Sequence, residues 1–457
     1  MKKIADVCWL LEKDKGAPVK IFATEKILKT VEKEVFLQAE NVSLLPGLMG
    51  DVCLMPDTHS GYGAPIGTVF AMDKENGYVC PGAVGYDINC GMRLITTNLT
   101  SREIMPYLER LVNLLYQTIP VGVGRGGFLK VNQTELKKLV EEGVSYLVRK
   151  KGIGWEKDLE KIEEKGRIGG ADLSAVSSLA IERGISQLAT LGSGNHYLEI
   201  QRVDKIFDEE KGRQWGVNQI DQITIMIHCG SRGFGHQICS DYLKIFEKKI
   251  NEYSVAVRDR QLVCLPISSL PGKNYLKAMA AAANFAFVNR EAITHQVRQV
   301  FEKIFNRSAE NLAMNLVYDV CHNIAKFEEH QNRTVLIHRK GATRSYPDQP
   351  VIIGGSMETG SYLLVGQEES LGRAFGSTAH GSGRTMSRAK AKKIVLGKDL
   401  WQSLKKKGIY IKSASWSGLA EEAGLAYKDI ADVVEAISLA KLSKPVASLK
   451  PLGNIKG

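Results

Sequence analysis

The chain has 457 residues, a formal net charge of +11 and eight cysteines. This length can bury one large core, and no repeat, low-complexity stretch or Pro/Ser-rich linker divides it, so we predict a single domain over residues 1–457. The start of the chain lacks the apolar segment of a secretory signal, and no apolar run is long enough to cross a bilayer, so no membrane association is expected. Dispersed cysteines without disulfide spacing favour a cytoplasmic protein, and the positive charge is compatible with a polyanionic partner.

Short apolar runs bounded by turn residues predict strands, and apolar residues at helical spacing predict helices. In chain order the pattern gives strands over 52–55 and 67–72, helices over 101–117, 137–149 and 174–189, a strand over 224–227, a helix pair over 277–305, and strands over 335–337 and 351–353. Segment 317–321 fits either a helix or a strand. The glycine-rich segment 56–67 is predicted to be a loop that carries Asp57 and His59. The fold class that follows is mixed α/β (α+β), with packed mixed β-sheets flanked by helices around a deep cleft.

Five metal-ligating side chains follow apolar runs or lie in glycine-rich loops. Asp87 and Cys90 are three residues apart, and three histidines lie far downstream at His196, His228 and His322. A thiolate with imidazoles and a carboxylate suits a first-row divalent ion such as zinc or manganese better than calcium or magnesium. Five ligands are enough for two ions if the sulfur bridges them. Because the spacings are too long for a zinc finger, we predict a catalytic site assembled from distant loops.

Each of these residues also has a structural alternative. Considered singly, Cys90 would be a small buried apolar residue, and Asp87 could cap a turn with its own backbone. Each histidine could be a neutral core residue with one hydrogen bond. The remaining cysteines are expected to be buried packing residues, namely Cys8, Cys53, Cys80, Cys239, Cys264 and Cys321. The complete set, rather than any one member, favours the metal site.

Further motifs extend over nearly the whole chain. They are Met55–Gly67, Gly230–Gln237, Met279–Phe285, His338–Arg344 and the terminal Leu452–Gly457. In sequence and order, these motifs and the five ligands resemble the RtcB family of RNA-splicing ligases. The resemblance implies an enzyme that uses GTP and two Mn²⁺ ions to join a 2′,3′-cyclic phosphate or 3′-phosphate RNA end to a 5′-hydroxyl end, in tRNA splicing or RNA repair. It leaves open whether an archease-type partner activates the enzyme.

The resemblance also implies a nucleophile and a nucleotide pocket. His380, in a loop of small residues, would attack the α-phosphate of GTP to form a histidine–GMP intermediate, with Asp57 as an acid/base or metal-water partner. The residues implied to contact GTP are Asn195, Glu199, Asn323, Ser356, Met357, Thr359, Ser361, His380, Gly381, Gly383, Tyr427 and Lys456. Those implied to contact RNA or phosphate are Arg183, Arg232, Lys340, Arg384 and Arg388. Without the resemblance, Lys456 would be interpreted as a disordered tail residue.

Four residues depart from the family pattern. Gly354 replaces a proline, Glu358 replaces a glycine, Tyr197 replaces a phenylalanine, and Cys229 replaces a small hydroxyl residue or alanine. A carboxylate in a loop that approaches phosphates should repel a nucleotide unless a cation neutralises it, so Glu358 is expected to weaken GTP binding. Cys229 is expected to place a second thiol near the metals.

Two rival functions use the same residues. The first is a metal-dependent phosphodiesterase or phosphatase without covalent GMP, against which the loop around His380 and the terminal Lys456 argue. The second is a catalytically impaired RNA-binding paralogue, against which the retention of all five ligands and His380 argues. The run Lys405–Lys407 is interpreted as a solvated face rather than a contact surface.

Overall fold

Nineteen strands form two large sheets and two small ones. The computed structural model describes residues 1–457. In chain order the strands are β1 (Lys2–Ala5), β2 (Cys8–Leu11), β3 (Val19–Phe22), β4 (Leu48–His59), β5 (Ile66–Asp73), β6 (Tyr78–Val79), β7 (Gly91–Thr100), β8 (Tyr197–Ile206), β9 (Gln222–Cys229), β10 (Leu265–Pro266), β11 (Leu316–Cys321), β12 (Asn323–His330), β13 (Arg333–Lys340), β14 (Ala342–Arg344), β15 (Pro350–Gly354), β16 (Ser361–Gly366), β17 (Ser377–Ala379), β18 (Tyr410–Ser413) and β19 (Ser443–Lys456).

The larger sheet has the order β11-β7-β9-β8-β19-β16-β15, with β18 paired to the end of β19. The other large sheet has the order β1-β2-β3-β4-β5-β13-β12, and the pairs β10-β6 and β14-β17 form the small sheets. Neighbouring strands are antiparallel except for β3 with β4 and β18 with β19. Both large sheets are therefore mixed, as the sequence predicts.

The helices lie around these sheets. They are α1 (Glu25–Leu28), α2 (Lys33–Ser43), α3 (Ser101–Ile104), α4 (Leu108–Thr118), α5 (Gln133–Glu142), α6 (Val144–Lys151), α7 (Ser178–Gln187), α8 (Glu209–Gln214), α9 (Arg232–Lys249), α10 (Leu270–Phe305), α11 (Glu369–Ala374), α12 (Arg388–Ile394), α13 (Gly397–Lys406), α14 (Trp416–Glu421) and α15 (Ile430–Leu439). One apolar cluster of 106 buried residues joins both large sheets to α10, so the fold is one compact mixed α/β domain, which confirms the predicted class. None of the helices combines the length and apolar character needed to span a membrane.

Most predicted strands lie inside observed ones. Those over 52–55, 67–72, 224–227, 335–337 and 351–353 fall within β4, β5, β9, β13 and β15, and the ambiguous segment 317–321 is strand β11. The predicted loop over 56–67 is wrong in its first part. Because β4 continues through His59, Asp57 and His59 belong to the strand end, and the loop begins at Ser60.

The helix predictions need four corrections. The segment 277–305 belongs to one unbroken helix, α10, about 54 Å long, because no glycine or proline interrupts it after Gly272. The segment 101–117 is divided by a 3₁₀ turn at Met105–Tyr107, which contains Pro106. Gly143 has φ +69° and separates α5 from α6, so 137–149 is not one helix. The helix predicted over 174–189 is shorter, Ser178–Gln187.

A buried ion network joins α10 to the larger sheet. Asp319 on β11 accepts hydrogen bonds from Arg93 Nε at 2.8 Å and from Arg290 Nη2 at 2.8 Å, and Arg93 also pairs with Glu291. All four side chains are fully buried. Arg290 Nη1 also donates to the carbonyl oxygens of Asn89 at 2.9 Å and Cys229 at 2.8 Å. The network therefore fixes the backbone beside the predicted metal ligands.

Asp319→Ala is expected to destabilise the fold by about 3–5 kcal/mol, because it leaves two buried guanidinium groups without their shared carboxylate. Chemical denaturation of the variant and the wild type measures the change. Glu156→Ala, which removes one partner of the exposed pair with Arg149, serves as the control and should have little effect. Equal unfolding midpoints for Asp319→Ala and the wild type would contradict the expected role of the network.

Candidate active site

Four adjacent strands bring the predicted metal ligands to one edge of the larger sheet. The loop with Asp87 and Cys90 leads into β7, His228 lies near the end of β9, His196 directly precedes β8, and His322 directly follows β11. Strand register aligns these ends, because β7 pairs with both β9 and β11 and β9 pairs with β8. Residues far apart in sequence therefore meet at one point.

The five side chains form two groups that share Cys90. The Cys90 sulfur lies 3.4 Å from His196 Nε2 and 3.2 Å from His228 Nε2. His196 Nε2 is 2.7 Å from Asp87 Oδ2, and His228 Nε2 is 3.3 Å from His322 Nε2. Within each group, the candidate ligand atoms lie within 4.8 Å of one another. The arrangement offers one site with Cys90, His228 and His322 and a second with Asp87, Cys90 and His196.

Two of the three imidazoles are neutral, whereas a cation must displace a proton from His196: burial lowers its pKa, but Cys229 and Asp87 outweigh burial and raise it to about 9. Burial lowers the pKa of His228 and His322 well below the usual range, so both imidazoles are neutral and can donate a lone pair. His228 Nδ1 is 3.1 Å from the Asn195 carbonyl oxygen, a contact that makes Nδ1 the protonated nitrogen and leaves Nε2 free. Burial and the Asp87 carboxylate raise the pKa of Cys90, so a thiolate here needs a neighbouring cation.

His380 lies beside this cluster and is held by Asp57. Its Nδ1 is 2.6 Å from Asp57 Oδ2, and the same oxygen accepts hydrogen bonds from the backbone amides of His380 at 3.0 Å and Gly381 at 3.1 Å. The ring centroids of His380 and His322 are 4.9 Å apart. Asp57 is completely buried, and although burial opposes its ionisation, His380 outweighs that effect and lowers the pKa of Asp57. Because Asp57 faces Nδ1, the Nε2 atom is left as the reactive nitrogen.

A cavity of about 540 Å³ opens onto this cluster. Most of the residues predicted for the site line it, namely Asp87, Cys90, Asn195, Glu199, His228, His322, Asn323, Lys340, Ser356, Met357, His380, Gly381, Gly383, Arg384, Arg388, Tyr427 and Lys456. Six predicted residues do not: Asp57, Arg183, His196, Arg232, Thr359 and Ser361. Asp57 is therefore placed to orient His380, and its role as an acid/base or metal-water partner stays a prediction.

One end of the cavity is built from buried polar residues. The Glu199 carboxylate accepts hydrogen bonds from Gln201 Nε2 at 2.6 Å and from the Asn454 amide. Lys456, at the end of β19, is 4 % exposed and donates to Glu422 Oε2 at 3.0 Å. The alternative of a disordered tail is therefore wrong for Lys456, since its strand pairs with β8. These groups offer both hydrogen-bond acceptors and donors to a planar polar ligand.

The loop after β15 carries Ser356, Met357 and Thr359. The Thr359 hydroxyl accepts a hydrogen bond from the Ser356 amide at 3.1 Å, and Ser361 accepts one from Gln201 at 3.2 Å, so these two hydroxyls hold the loop and β16 in place. Asn323 also supports the backbone, because its amide donates to the Asp87 carbonyl at 3.1 Å and accepts from the Gly341 amide at 2.9 Å.

Glu358 points away from the cavity. Its carboxylate pairs with Lys407 at 3.0 Å and accepts a hydrogen bond from the Gly424 amide at 2.9 Å. The expectation of an unneutralised carboxylate among phosphates is therefore wrong. The sequence could not show this pairing, because Lys407 lies far downstream in a lysine run that was interpreted as solvated.

Gly354 and Tyr197, two of the residues that depart from the family pattern, lie next to each other. A Cβ atom on Gly354 would lie 2.5 Å from the Tyr197 hydroxyl oxygen and 2.7 Å from Met92 Cε. The tyrosine hydroxyl therefore occupies space that a larger residue at position 354 would need. The two departures from the family pattern form a matched pair.

Cys229 lies beside the metal ligands, and its side chain hydrogen-bonds with that of His196. Its sulfur is 3.1 Å from the Leu191 carbonyl oxygen and accepts a hydrogen bond from Asn289 Nδ2 at 3.2 Å. It is not a member of either candidate ligand group. All eight cysteines are buried and free, including the six that were expected to be packing residues.

Three of the five predicted phosphate contacts already have protein partners. Lys340 donates to the carbonyl oxygens of Tyr62 and Gly82, and burial lowers its pKa to about 8. Arg232 Nη1 is 2.7 Å from His196 Nδ1, on the far side of the ring from the ligand cluster. Arg384 donates to the Tyr427 hydroxyl at 2.9 Å and to the Glu421 carbonyl at 2.7 Å. These contacts fix the three side chains in place, and their phosphate-binding assignments stay predictions.

The other two predicted contacts differ in position. Arg388 is exposed, has no carboxylate partner and lines the cavity, so it remains free to meet a phosphate. Arg183 is half-buried on α7 and lies outside the cavity. Both phosphate-binding assignments stay predictions.

Glu422 was not anticipated from the sequence. It is 2 % exposed, lines the cavity, and accepts hydrogen bonds from Lys456, from Tyr427 at 2.5 Å and from Arg384 at 3.3 Å. Lys428 was also missed; its ammonium donates to the carbonyls of Pro56 and Thr58 and fixes the strand end that carries Asp57. Both residues occur in ordinary helix-and-turn sequence, and no spacing marks them.

Comparison with known proteins agrees with this geometry. The family model described as tRNA-splicing ligase RtcB matches residues 38–457. The chain belongs to the RtcB family. It is 46 % identical to the tRNA-splicing ligase RtcB of Nanoarchaeum equitans and 45 % identical to that of Archaeoglobus fulgidus, in each case over 100 % of this chain and 99 % of the relative. It is also 48 % identical to the RNA-splicing ligase RtcB homolog 1 of Entamoeba histolytica, over 92 % of this chain and 83 % of that protein.

Proposed function

We propose that this member of a family of RNA ligases uses GTP and manganese to join an RNA 3′-phosphate or 2′,3′-cyclic phosphate end to a 5′-hydroxyl end. The observation that carries the proposal is the position of His380. Its ring lines the cavity beside His322, and Asp57 occupies its Nδ1 side. A histidine needed only for packing would not require a fully buried carboxylate on one nitrogen and an open cavity on the other.

In the proposed reaction, His380 Nε2 attacks the α-phosphate of GTP, a P–N bond forms, and pyrophosphate leaves. The GMP group then passes to the RNA 3′-phosphate, and attack by the 5′-hydroxyl forms the new phosphodiester and releases GMP. A cyclic phosphate is hydrolysed to the 3′-phosphate first. Asp57 holds the His380 ring during these steps and stabilises its positive charge.

Manganese is assigned to the two ligand groups that share Cys90. Asp87, His196, His228 and His322 would complete the coordination, and bound ions would offset the negative charge of the phosphoryl groups. The neutral imidazoles of His228 and His322, a thiol that needs a cation and a convergent carboxylate support a pair of divalent ions rather than a purely structural cluster.

Incubation with Mn²⁺ and GTP labelled at the α-phosphate tests the proposal. The protein should retain label in an acid-labile, alkali-stable bond, and label at the γ-phosphate should not be retained. A phosphodiesterase or phosphatase would release phosphate without retaining label, and an impaired RNA-binding paralogue would do neither. Adding an archease-type protein to the same assay tests whether an activator accelerates the labelling.

The proposed nucleotide pocket predicts that the affinity for guanosine depends on pH. Burial raises the pKa of Glu199 to about 7, although hydrogen bonds from Gln201 and Asn454 oppose the shift. Only the ionised carboxylate accepts the N–H donors of guanine, and its population rises as pH passes upward through this pKa. Guanosine affinity should therefore increase about tenfold from roughly pH 6 to roughly pH 8, and Glu199→Gln should abolish the increase. Calorimetric titration with guanosine measures this, and a flat wild-type profile would remove Glu199 from base recognition.

The contacts of Glu358 predict that its removal does not strengthen GTP binding, which is opposite to the effect predicted from the sequence alone. Glu358→Gly removes the ion pair with Lys407 and the acceptor for the Gly424 amide, so the loop should loosen and stability should fall by about 1–2 kcal/mol. GTP binding at fixed Mn²⁺ should weaken or stay unchanged. Glu358→Gln, which keeps an acceptor for the amide, is the matched control and should lose less stability. Tighter GTP binding by Glu358→Gly would restore the repulsion hypothesis.

A further inference from the structure

Most of the excess positive charge is concentrated in one segment outside the candidate active site. Residues 388–412 contain nine lysines and arginines and one acidic residue, in a chain whose net charge is +11. Lys392 pairs with Glu421 and Lys407 pairs with Glu358. The other seven have no carboxylate within ion-pair distance: Arg388, Lys390, Lys393, Lys398, Lys405, Lys406 and Lys412. Unpaired cations at this density favour a polyanionic partner over a merely solvated face.

Aromatic side chains accompany these cations. Trp401, Tyr410 and Trp416 line a second cavity of about 370 Å³, and the two tryptophan rings meet edge to face with centroids 6.2 Å apart. Trp416 is 55 % exposed. Lys405 Nζ lies 5.4 Å from the centre of the Trp401 ring, and Lys412 Nζ lies 6.0 Å from that of Tyr410. Aromatic faces are thus presented to solvent among cations.

The segment packs on a small core of its own and continues to the mouth of the candidate active site. Leu404, Ile411 and Leu419 belong to an apolar cluster separate from the main core. Arg388, at the start of α12, lines the active-site cavity. The Ala414 amide, beside the aromatic cavity, donates to the backbone carbonyl of Lys456 at 3.1 Å, and strand β18 runs parallel to the end of β19. The wall of the aromatic cavity is thus bonded directly to the strand that carries Lys456 of the active-site cavity.

We propose that residues 388–412 together with Trp416, here called the basic aromatic surface, bind single-stranded RNA next to the end that is joined. The inference rests on the proposed function. Proteins that hold single strands combine a cationic path for phosphates with aromatic faces on which bases stack, and both features are present. An acidic peptide would satisfy the lysines but would leave the exposed aromatic faces without planar partners. The surface therefore favours RNA, whose reacting ends are unpaired.

Binding of RNA without GTP or Mn²⁺ tests the inference separately from the ligase proposal. The probe is a fluorescent single strand of roughly ten nucleotides, within the site size of known single-strand binders. Trp416→Ala should weaken its binding about tenfold, and Trp416→Phe should restore most of the loss. Lys405→Ala combined with Lys406→Ala should reduce the slope of log affinity against log salt by about 1.4. Labelling by GTP should be unchanged in every variant.

Two controls make the result specific. Lys244→Ala combined with Lys248→Ala removes two exposed lysines from α9 and should leave RNA binding nearly unchanged. A dinucleotide with a 3′-phosphate should bind the wild type and Trp416→Ala equally, since it cannot reach the surface. Unchanged binding of the long strand by Trp416→Ala would overturn the proposal, as would an equal loss with the dinucleotide. Binding of labelled polyglutamate, with no binding of the RNA strand, would assign the surface to an acidic protein instead.

Discussion

His380→Ala is expected to abolish covalent attachment of GMP and sealing of 3′-phosphate ends, a loss of at least about 10⁴-fold. The variant removes the nitrogen assigned to attack the α-phosphate, and no other histidine that lines the cavity is held against a carboxylate. The ion count should stay the same, because His380 belongs to neither candidate ligand group. Retention of α-phosphate label, together with quantitation of bound manganese, measures both expectations.

A matched variant distinguishes loss of the nucleophile from a general effect of replacing a histidine. His295→Ala changes a half-exposed histidine on α10 that lies outside the cavity, and it should leave labelling intact. Protein-bound GMP in His380→Ala would refute the nucleophile assignment. Loss of bound manganese in His380→Ala would show instead that the residue supports the metal cluster.

Cys90→Ala should remove both ions and with them both the labelling and the sealing reactions. The sulfur is the only candidate ligand atom common to the two groups, and it lies within 3.4 Å of two imidazole nitrogens that themselves belong to different groups. Elemental analysis after dialysis measures the metal content, and addition of excess Mn²⁺ tests whether weak binding persists.

The neighbouring thiol supplies the control. Cys229→Ala deletes a buried sulfur that contacts His196 but belongs to neither ligand group, so at least the ion assigned to Cys90, His228 and His322 should remain. Two tightly bound ions in Cys90→Ala would disprove the bridging assignment, and loss of both ions in Cys229→Ala would mean that the effect is not specific to Cys90.

The sequence predicts those parts of the molecule that depend on local pattern. Apolar runs locate β9 and β13, and the positions of His228 and His322 at the ends of apolar runs bring them to one edge once the strands pair. Breaks between helices are harder to predict from the sequence, because the break at Gly143 depends on the positive φ of that residue rather than on the local composition. The end of β4 was missed for a similar reason, since a strand with Pro56 and polar residues resembles a loop.

Contacts between distant residues cannot be predicted from local pattern. Glu358 was expected to disturb a phosphate site because its partner, Lys407, is brought close only by the folding of α13. No sequence pattern marks Glu422, although three residues that line the cavity donate hydrogen bonds to it. In both cases the role of the carboxylate depends on the cations that folding places beside it.

The contact between Gly354 and Tyr197 constrains the history of the chain. A Cβ at position 354 and a hydroxyl at position 197 would come within 2.5 Å, so an ancestor with the usual proline and phenylalanine could not acquire the tyrosine first without a clash. An order in which the glycine came first avoids this clash, and with the tyrosine in place a return to proline is unfavourable. The tyrosine therefore disfavours any larger residue at position 354, and lineages that carry the tyrosine should also carry the glycine.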